Sequence, residues 1–225
     1  MRLYLARHAQ TLSNVGHALD TAYPGAALTD LGQDQAARLA ARLAGEPLAV
    51  VAASPLLRAQ QTAAALAEGR GRTVLTLDGL REVDAGDLEM QSSAEAIGSY
   101  VTLVRAWAAG DLDVTIPGGI SGREFLARFD EAVQAIEDAA GAADSQDAPE
   151  VAAIAVSHGA AIRTWTALRC RNANGTEVSR RLVPNTGVVI VKGSARSGWL
   201  LDGRIEEGTD AIPADAIFNA VGEAE

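Results

Sequence analysis

The chain has 225 residues, enough for one large domain with room for an inserted segment. With 48% hydrophobic residues but only 4% aromatics, an ordinary globular core must rest largely on Ala, Leu and Val. A net charge of −10 argues against nucleic-acid or anionic-membrane partners, although a cluster of arginines can still reverse the potential inside one cleft. The single cysteine, Cys170, excludes an internal disulfide and reads as a small apolar filler in a reducing compartment. The three histidines, His8, His17 and His158, have no zinc-type spacing, and no metal or cofactor is implied. The apolar run Met1 to Ala6 is too short for a leader or a membrane span, so a cytoplasmic protein is expected.

Leu3 to Ala6 reads as a short buried strand ending at Arg7-His8. After a polar loop, Thr29 is placed to cap a helix carrying Leu31, Ala36, Leu39, Ala40 and Leu43, with Gly45 as its stop. Leu48 to Ala53 is a continuous apolar run, the pattern of a strand buried on both faces. Ser54-Pro55 reads as an N-cap with proline at the first helical position, opening a helix through Arg58, Thr62 and Leu66 toward Gly69. Thr73 to Leu77 is a further strand. From about Val83 to Gly119 the rhythm breaks, with a helical pattern only around Tyr100 to Trp107, and residues 83–120 read as a lid-like insertion.

Arg123 to Ala140 is an amphipathic helix, and Gly141 to Pro149 an exposed loop. Val151 to Val156 is another apolar strand, followed by Ser157-His158-Gly159 and a helix through Trp165 and Leu168. Gly187 to Val191 and Trp199 to Leu201 read as an antiparallel pair at the sheet edge. Strand and helix alternate throughout. The expected class is a single α/β domain, a three-layer α/β/α sandwich on a mainly parallel sheet with an antiparallel edge strand.

Three polar clusters follow apolar strands: Arg7-His8, Ser54 to Arg58, and Ser157-His158-Gly159. A parallel sheet gathers such positions at its carboxyl edge. Two imidazoles and two guanidiniums would meet there, a set suited to a phosphoryl group because arginine offers forked donors and stays charged. Taken singly, an Arg-His pair in a turn, a helical arginine and a lone histidine all have ordinary structural explanations.

The segments Leu5-Ala6-Arg7-His8-Ala9-Gln10-Thr11 with Asn14, Leu28 to Gly32, Ser54 to Ala63, Leu80-Arg81-Glu82, Ser157-His158-Gly159 and Pro184-Asn185-Thr186 occur in the order seen in the histidine phosphatase superfamily, which includes phosphoglycerate mutases. The chain resembles that family over nearly its whole length. The resemblance implies a metal-independent phosphomonoesterase acting on a small phosphorylated substrate. His8 would be the nucleophile, Arg7, Arg58 and His158 would hold the phosphoryl oxygens, Asn14 would donate to them, and Glu82 would be the proton donor with a raised pKa. Thr11 and Gly159 are secondary candidates for phosphate contact, Thr11 equally as a cap of its turn. His17 is read as a loop residue.

The chain departs from the family pattern at three places. Ala9 stands where glycine is common, Gly86-Asp87-Leu88-Glu89-Met90 lacks the family's aromatic and second glycine, and Ile120 replaces a glutamate. Mutase transfer, protein phosphohistidine hydrolysis and a non-catalytic phospholigand-binding module are the alternatives to metabolite hydrolysis, and a homodimer is compatible with the sequence. Arg81, Arg105, Trp107 and Arg123 are candidates for the leaving-group pocket or for surface and core roles.

Overall fold

The computed structural model describes residues 1–141 and 151–206. In chain order the elements are β1 (Arg2–Arg7), α1 (Leu12–Val15), α2 (Asp30–Arg42), β2 (Leu48–Ala53), α3 (Leu57–Glu68), β3 (Val74–Thr76), α4 (Ala94–Ala108), α5 (Gly122–Ala140), β4 (Ala152–Ser157), α6 (Gly159–Arg169), α7 (Gly175–Arg180), β5 (Val188–Ser194) and β6 (Gly198–Ile205). Six strands form one sheet in the order β3-β2-β4-β1-β5-β6. The first four run parallel, β5 runs against β1, and β6 runs against β5. The reversed strand therefore lies one place in from the edge, and β6 closes the sheet.

The near-continuous apolar strands are buried on both faces, as a sheet covered by helices requires. One face carries Tyr4, Ala6, Val51, Ile154 and Val156 against Leu39 of α2 and Ala63 and Leu66 of α3. The other carries Leu5, Ala52, Ala155 and Val189 against α4, α5 and α6. Three layers result. Nine aromatic residues serve the chain, and five of them form a row across the second face. Trp107, Phe125, Phe129, Trp165 and Trp199 follow one another at centroid spacings of 5.7, 5.8, 5.5 and 5.7 Å, tying α4 to α5, α6 and β6. Each buried ring contributes about 1.5–3 kcal/mol, which compensates for the Ala-rich packing elsewhere.

Local signals account for most helix ends. The Thr29 side chain accepts from Gly32 N–H at the start of α2, and Gly141, at φ 61°, ends α5 in the left-handed conformation. Ser121 and Glu124 form a reciprocal capping box that starts α5 one residue before the expected Arg123. Four expectations are corrected. Ser54 is not the cap of α3, which begins at Leu57 after Leu56 with no side-chain cap. The helix expected around Tyr100 to Trp107 starts earlier, at Ala94, capped by Ser93. α2 stops at Arg42 with Leu43 as its cap rather than at Gly45. The short helix α1 lies in the stretch read as a polar loop, and α7 in a stretch for which no element was expected. The loop expected from Gly141 to Pro149 lies, beyond Gly141, outside the described residues.

Candidate active site

The register of the sheet sets the three polar clusters side by side. Arg7 pairs with Ser157, and Ala53 with Val156, so β1, β4 and β2 end together at their carboxyl edge. His8 continues the ladder by donating its N–H to Ser157 O at 3.0 Å. Its imidazole is 3% exposed and lies 5.1 Å, centroid to centroid, from that of His158.

The hydrogen bonds define the tautomer of His8. Nδ1 lies 2.7 Å from the Ala9 carbonyl, which only accepts, so the proton is on Nδ1. Nε2 then accepts from Arg58 Nε at 3.1 Å and carries a lone pair. Burial, with Arg58 and Arg7 nearby, holds the His8 pKa well below the usual imidazole value, so the ring is neutral at pH 7. Burial acts in the same direction on His158, reinforced by Arg58 and by His8.

Ser54, misread as a helix cap, has a different task. Its Oγ accepts from Leu56 N–H at 3.3 Å and lies 2.9 Å from His158 Nε2. With Oγ as donor to Nε2, the ring proton resides on Nδ1, which is buried and has no partner among the described residues. No one-dimensional signal distinguishes this serine from a cap, because Ser-Pro after a strand fits both.

The arginines are oriented by backbone carbonyls and one carboxylate. Arg7 donates from Nη1 to Val183 O at 2.9 Å, and its buried Nε has no partner. Burial lowers its pKa to about 10, opposed by Glu82, and it remains charged at neutral pH. Arg58 donates from Nη2 to Asp20 O at 2.7 Å, and its Nη1 lies 3.5 Å from Asp20 Oδ1 in an ion pair buried on both sides. Asp20 is itself held by Ser13 Oγ at 2.7 Å and Ala26 N at 3.0 Å. Gly25, at φ 71°, brings this loop so close to Arg58 that a Cβ would sit 2.4 Å from Nη1.

Glu82 lies at the N-terminus of α6, accepting from Ala160 N at 3.2 Å on Oε2 and from Ala161 N at 2.8 Å on Oε1. Gly159, the first residue of α6, lines the same cleft. Thr11 is the cap of α1: its side chain accepts from Asn14 N, and Asn14 Oδ1 accepts from Thr11 N at 3.1 Å. Asn185 of the late motif donates to both His8 O at 3.0 Å and Asn14 Oδ1 at 3.1 Å, which leaves the Asn14 amide donor for a ligand.

These residues open into a cleft of about 200 Å³ lined by Arg7, His8, Asn14, Arg58, Glu82 and Gly159 on one side and by residues of α4 and of the 17–21 and 182–183 segments on the other. His158, fully buried beside His8, is not among the lining residues. His17, read as a loop residue, lines the cleft at φ 54°, and its Nδ1 is buried without a partner. Arg81, Arg105, Trp107 and Arg123 do not line it; Trp107 is in the core and Arg123 pairs with Asp113 at the surface. Ala9 avoids positive φ, so alanine is accommodated there in place of glycine.

The profile described as histidine phosphatase superfamily (branch 1) matches residues 3–203. The chain belongs to this superfamily. Among curated relatives it is 37% identical over 229 residues to the PE-PGRS family protein PE_PGRS11 of Mycobacterium tuberculosis, covering 96% of this chain and 38% of that protein. It is 30% identical over 162 residues to the probable phosphoglycerate mutase GpmB of Proteus mirabilis, covering 72% of this chain and 71% of that one. The chain thus spans well under half the length of the mycobacterial relative. Among solved structures, mycobacterial glucosyl-3-phosphoglycerate phosphatase in complex with VO3 superposes with a TM-score of 0.72 at 26% identity, covering 89% of this chain and 96% of that one. Mycobacterial hydrolase 2 gives a TM-score of 0.76 at 25% identity, covering 97% and 95%. No helix among the described residues is long and apolar enough to cross a membrane.

Proposed function

We propose that this superfamily member hydrolyses small phosphomonoesters through a phosphohistidine on His8. The observation that carries the reading is the neutral His8 imidazole: Nδ1 is committed to Ala9 O, and Nε2 keeps its lone pair between two guanidiniums. Substrate phosphate would draw the Arg58 donors onto its oxygens and free Nε2 for in-line attack. The Nε2–P bond forms as the ester P–O bond breaks, and Glu82 passes a proton to the leaving oxygen. Oε2, held only by the longer 3.2 Å bond, is the oxygen placed to carry that proton. Water then attacks phosphorus, giving its proton back to Glu82 as the N–P bond breaks and phosphate leaves.

Arg7, Arg58, His158 Nδ1 and the Asn14 amide would hold the equatorial oxygens, with Gly159 N–H as a further donor at the start of α6. The relatives include a phosphatase of a phosphorylated sugar acid, which supports a small metabolite as substrate. The test is release of inorganic phosphate from phenyl phosphate, with and without a chelator, by wild type and His8→Ala. Turnover indifferent to chelator and reduced at least about 10²-fold by His8→Ala is expected. Equal rates for the two proteins, or phosphoryl transfer without phosphate release, would sink the reading.

A further inference from the structure

The cleft changes character between its floor and its rim. His8 and Arg58 at the floor are buried, whereas the partly exposed residues on the way out include Leu19, Ile97, Val101 and Leu182. These four come from three separate stretches. Leu19 follows α1, where its backbone exchanges hydrogen bonds with Met90 and Gln91 at 2.9 Å each. Ile97 and Val101 are four residues apart on α4 and so share one face of it. Leu182 precedes the segment that accepts from Arg7.

The polar side chains that line the same space are largely committed to the protein. Ser13 Oγ donates to Asp20 at 2.7 Å, Thr21 Oγ1 to Glu89 at 2.5 Å, and Tyr100 OH to Val83 O at 2.8 Å. Arg7 and Arg58 flank His8. Arg163 donates from Nε to Gly159 O at 3.1 Å and from Nη1 to Ser179 O at 2.6 Å. Asp20, in its ion pair with Arg58, and Glu82, held by the N-terminus of α6, complete the lining. A leaving group bearing a carboxylate, or many hydroxyls, would meet polar side chains that are for the most part already engaged within the protein. One bearing hydrocarbon would cover four apolar side chains and gain by their desolvation. His17, with its unpartnered Nδ1, leaves room on this rim for a single hydrogen bond.

From this, and resting on the phosphatase reading, we infer that the leaving-group subsite takes an uncharged alcohol with a compact apolar body, alkyl or aryl, and disfavours sugar-acid and amino-acid phosphates. The cleft of about 200 Å³ lies below the roughly 300–1,000 Å³ of sites for drug-sized ligands, which limits the body to a few carbons or one ring system.

The test uses the intact protein and two parallel measurements. Calorimetric titration with alkylphosphonates from methyl to hexyl reads the subsite without chemistry, and kcat/KM for the matching alkyl phosphates reads it in turnover. Both are expected to rise about threefold per methylene over at least three carbons, with hexyl at least about tenfold ahead of 3-phosphoglycerate and phosphoserine. A flat series, or 3-phosphoglycerate or phosphoserine ahead of hexyl, overturns the inference. Affinity that climbs with chain length while no phosphate is released supports the subsite and refutes hydrolysis. Release of phosphate at a rate indifferent to chain length does the reverse. Ile97→Asn, with its thermal midpoint showing that it is folded, is expected to flatten the chain-length dependence, and an unchanged slope would count against the apolar wall.

Discussion

Arg128 on α5 donates from Nη2 to the main-chain oxygen of Glu82 at 2.6 Å, and from Nη1 to Gly79 O and Arg81 O at 2.8 and 2.9 Å. Ser157 Oγ takes Leu80 O at 2.8 Å, and Tyr100 OH takes Val83 O. Five consecutive carbonyls from 79 to 83 are thus claimed by side chains of α4, α5 and β4. Gly79 permits the approach, since a Cβ there would lie 1.9 Å from Arg128 O. The backbone bearing the proposed proton donor is fastened to the helix behind it. Arg128→Met should lower kcat at least about tenfold, leave inorganic phosphate inhibition nearly unchanged, and destabilise the fold by about 1–3 kcal/mol for each carbonyl left buried and unpaired. Arg128→Lys, which keeps the charge but not the fork, should recover part of kcat. Steady-state kinetics with phosphate as inhibitor make the comparison, and a wild-type kcat in Arg128→Met would rule out positioning.

Ser54→Ala removes the partner of His158 Nε2, which with Oγ as donor puts the ring proton on Nδ1. A loss of about tenfold in activity is expected, the scale typical of partners that orient a functional histidine. Nitrogen-15 NMR of His158 checks the cause directly: one Nδ1–H tautomer in wild type, a mixture in the variant.

The two buried imidazoles make stability depend on pH. Both folded pKa values are depressed, His8 and His158 alike by burial first. Above an unfolded value of about 6.5 both states are neutral and stability is full. As the pH falls below that point the unfolded chain takes up protons that the folded site excludes, so stability drops until the folded pKa values are reached. Each ring contributes a slope of up to about 1.4 kcal/mol per pH unit. Urea unfolding between pH 7 and 5 should show that decline, and His158→Asn should reduce its slope.

Met90 sits at φ 60°, where the family's second glycine would stand, and is 59% exposed. The backbone makes a left-handed turn here and Met90 N–H reaches Leu19 O at 2.9 Å. A left-handed residue with a Cβ costs about 1–2 kcal/mol, and glycine returns part of that as unfolded-state entropy. Met90→Gly should therefore stabilise the protein by up to about 1 kcal/mol, read from the urea midpoint; a lower midpoint would contradict it.

Much of the site was readable from the chain because its carriers are local: an apolar strand, then a charged cluster, three times over. Arg7-His8, Arg58 and His158 converge as the parallel pattern implied, and Glu82 and Asn14 join them. What was not readable depends on contacts between distant segments. Ser54 looks like a cap until His158 is placed beside it, and Arg128 looks like one more charge on an amphipathic helix until residues 79–82 lie against it. The helix from Ala94 was read short because Ala94 to Gly98 has little periodic contrast. The antiparallel pair expected from Gly187 to Val191 and Trp199 to Leu201 is found as β5 and β6 at the sheet edge, with β6 running on to Ile205 beyond its apolar stretch.

His8 follows β1, and Arg58 follows β2 at the start of α3, yet these two strands do not pair; β4 stands between them. β4 begins only at Ala152, so a ribosome working at roughly 5–20 residues per second exposes His8 on the order of ten seconds before the strand that completes its surroundings. Until that strand threads into the gap, the chain carries its reactive groups unassembled and harmless to the phosphate esters around it. Onset of turnover would then report the insertion of the central strand, making enzymatic activity itself a clock for the last long-range step of folding.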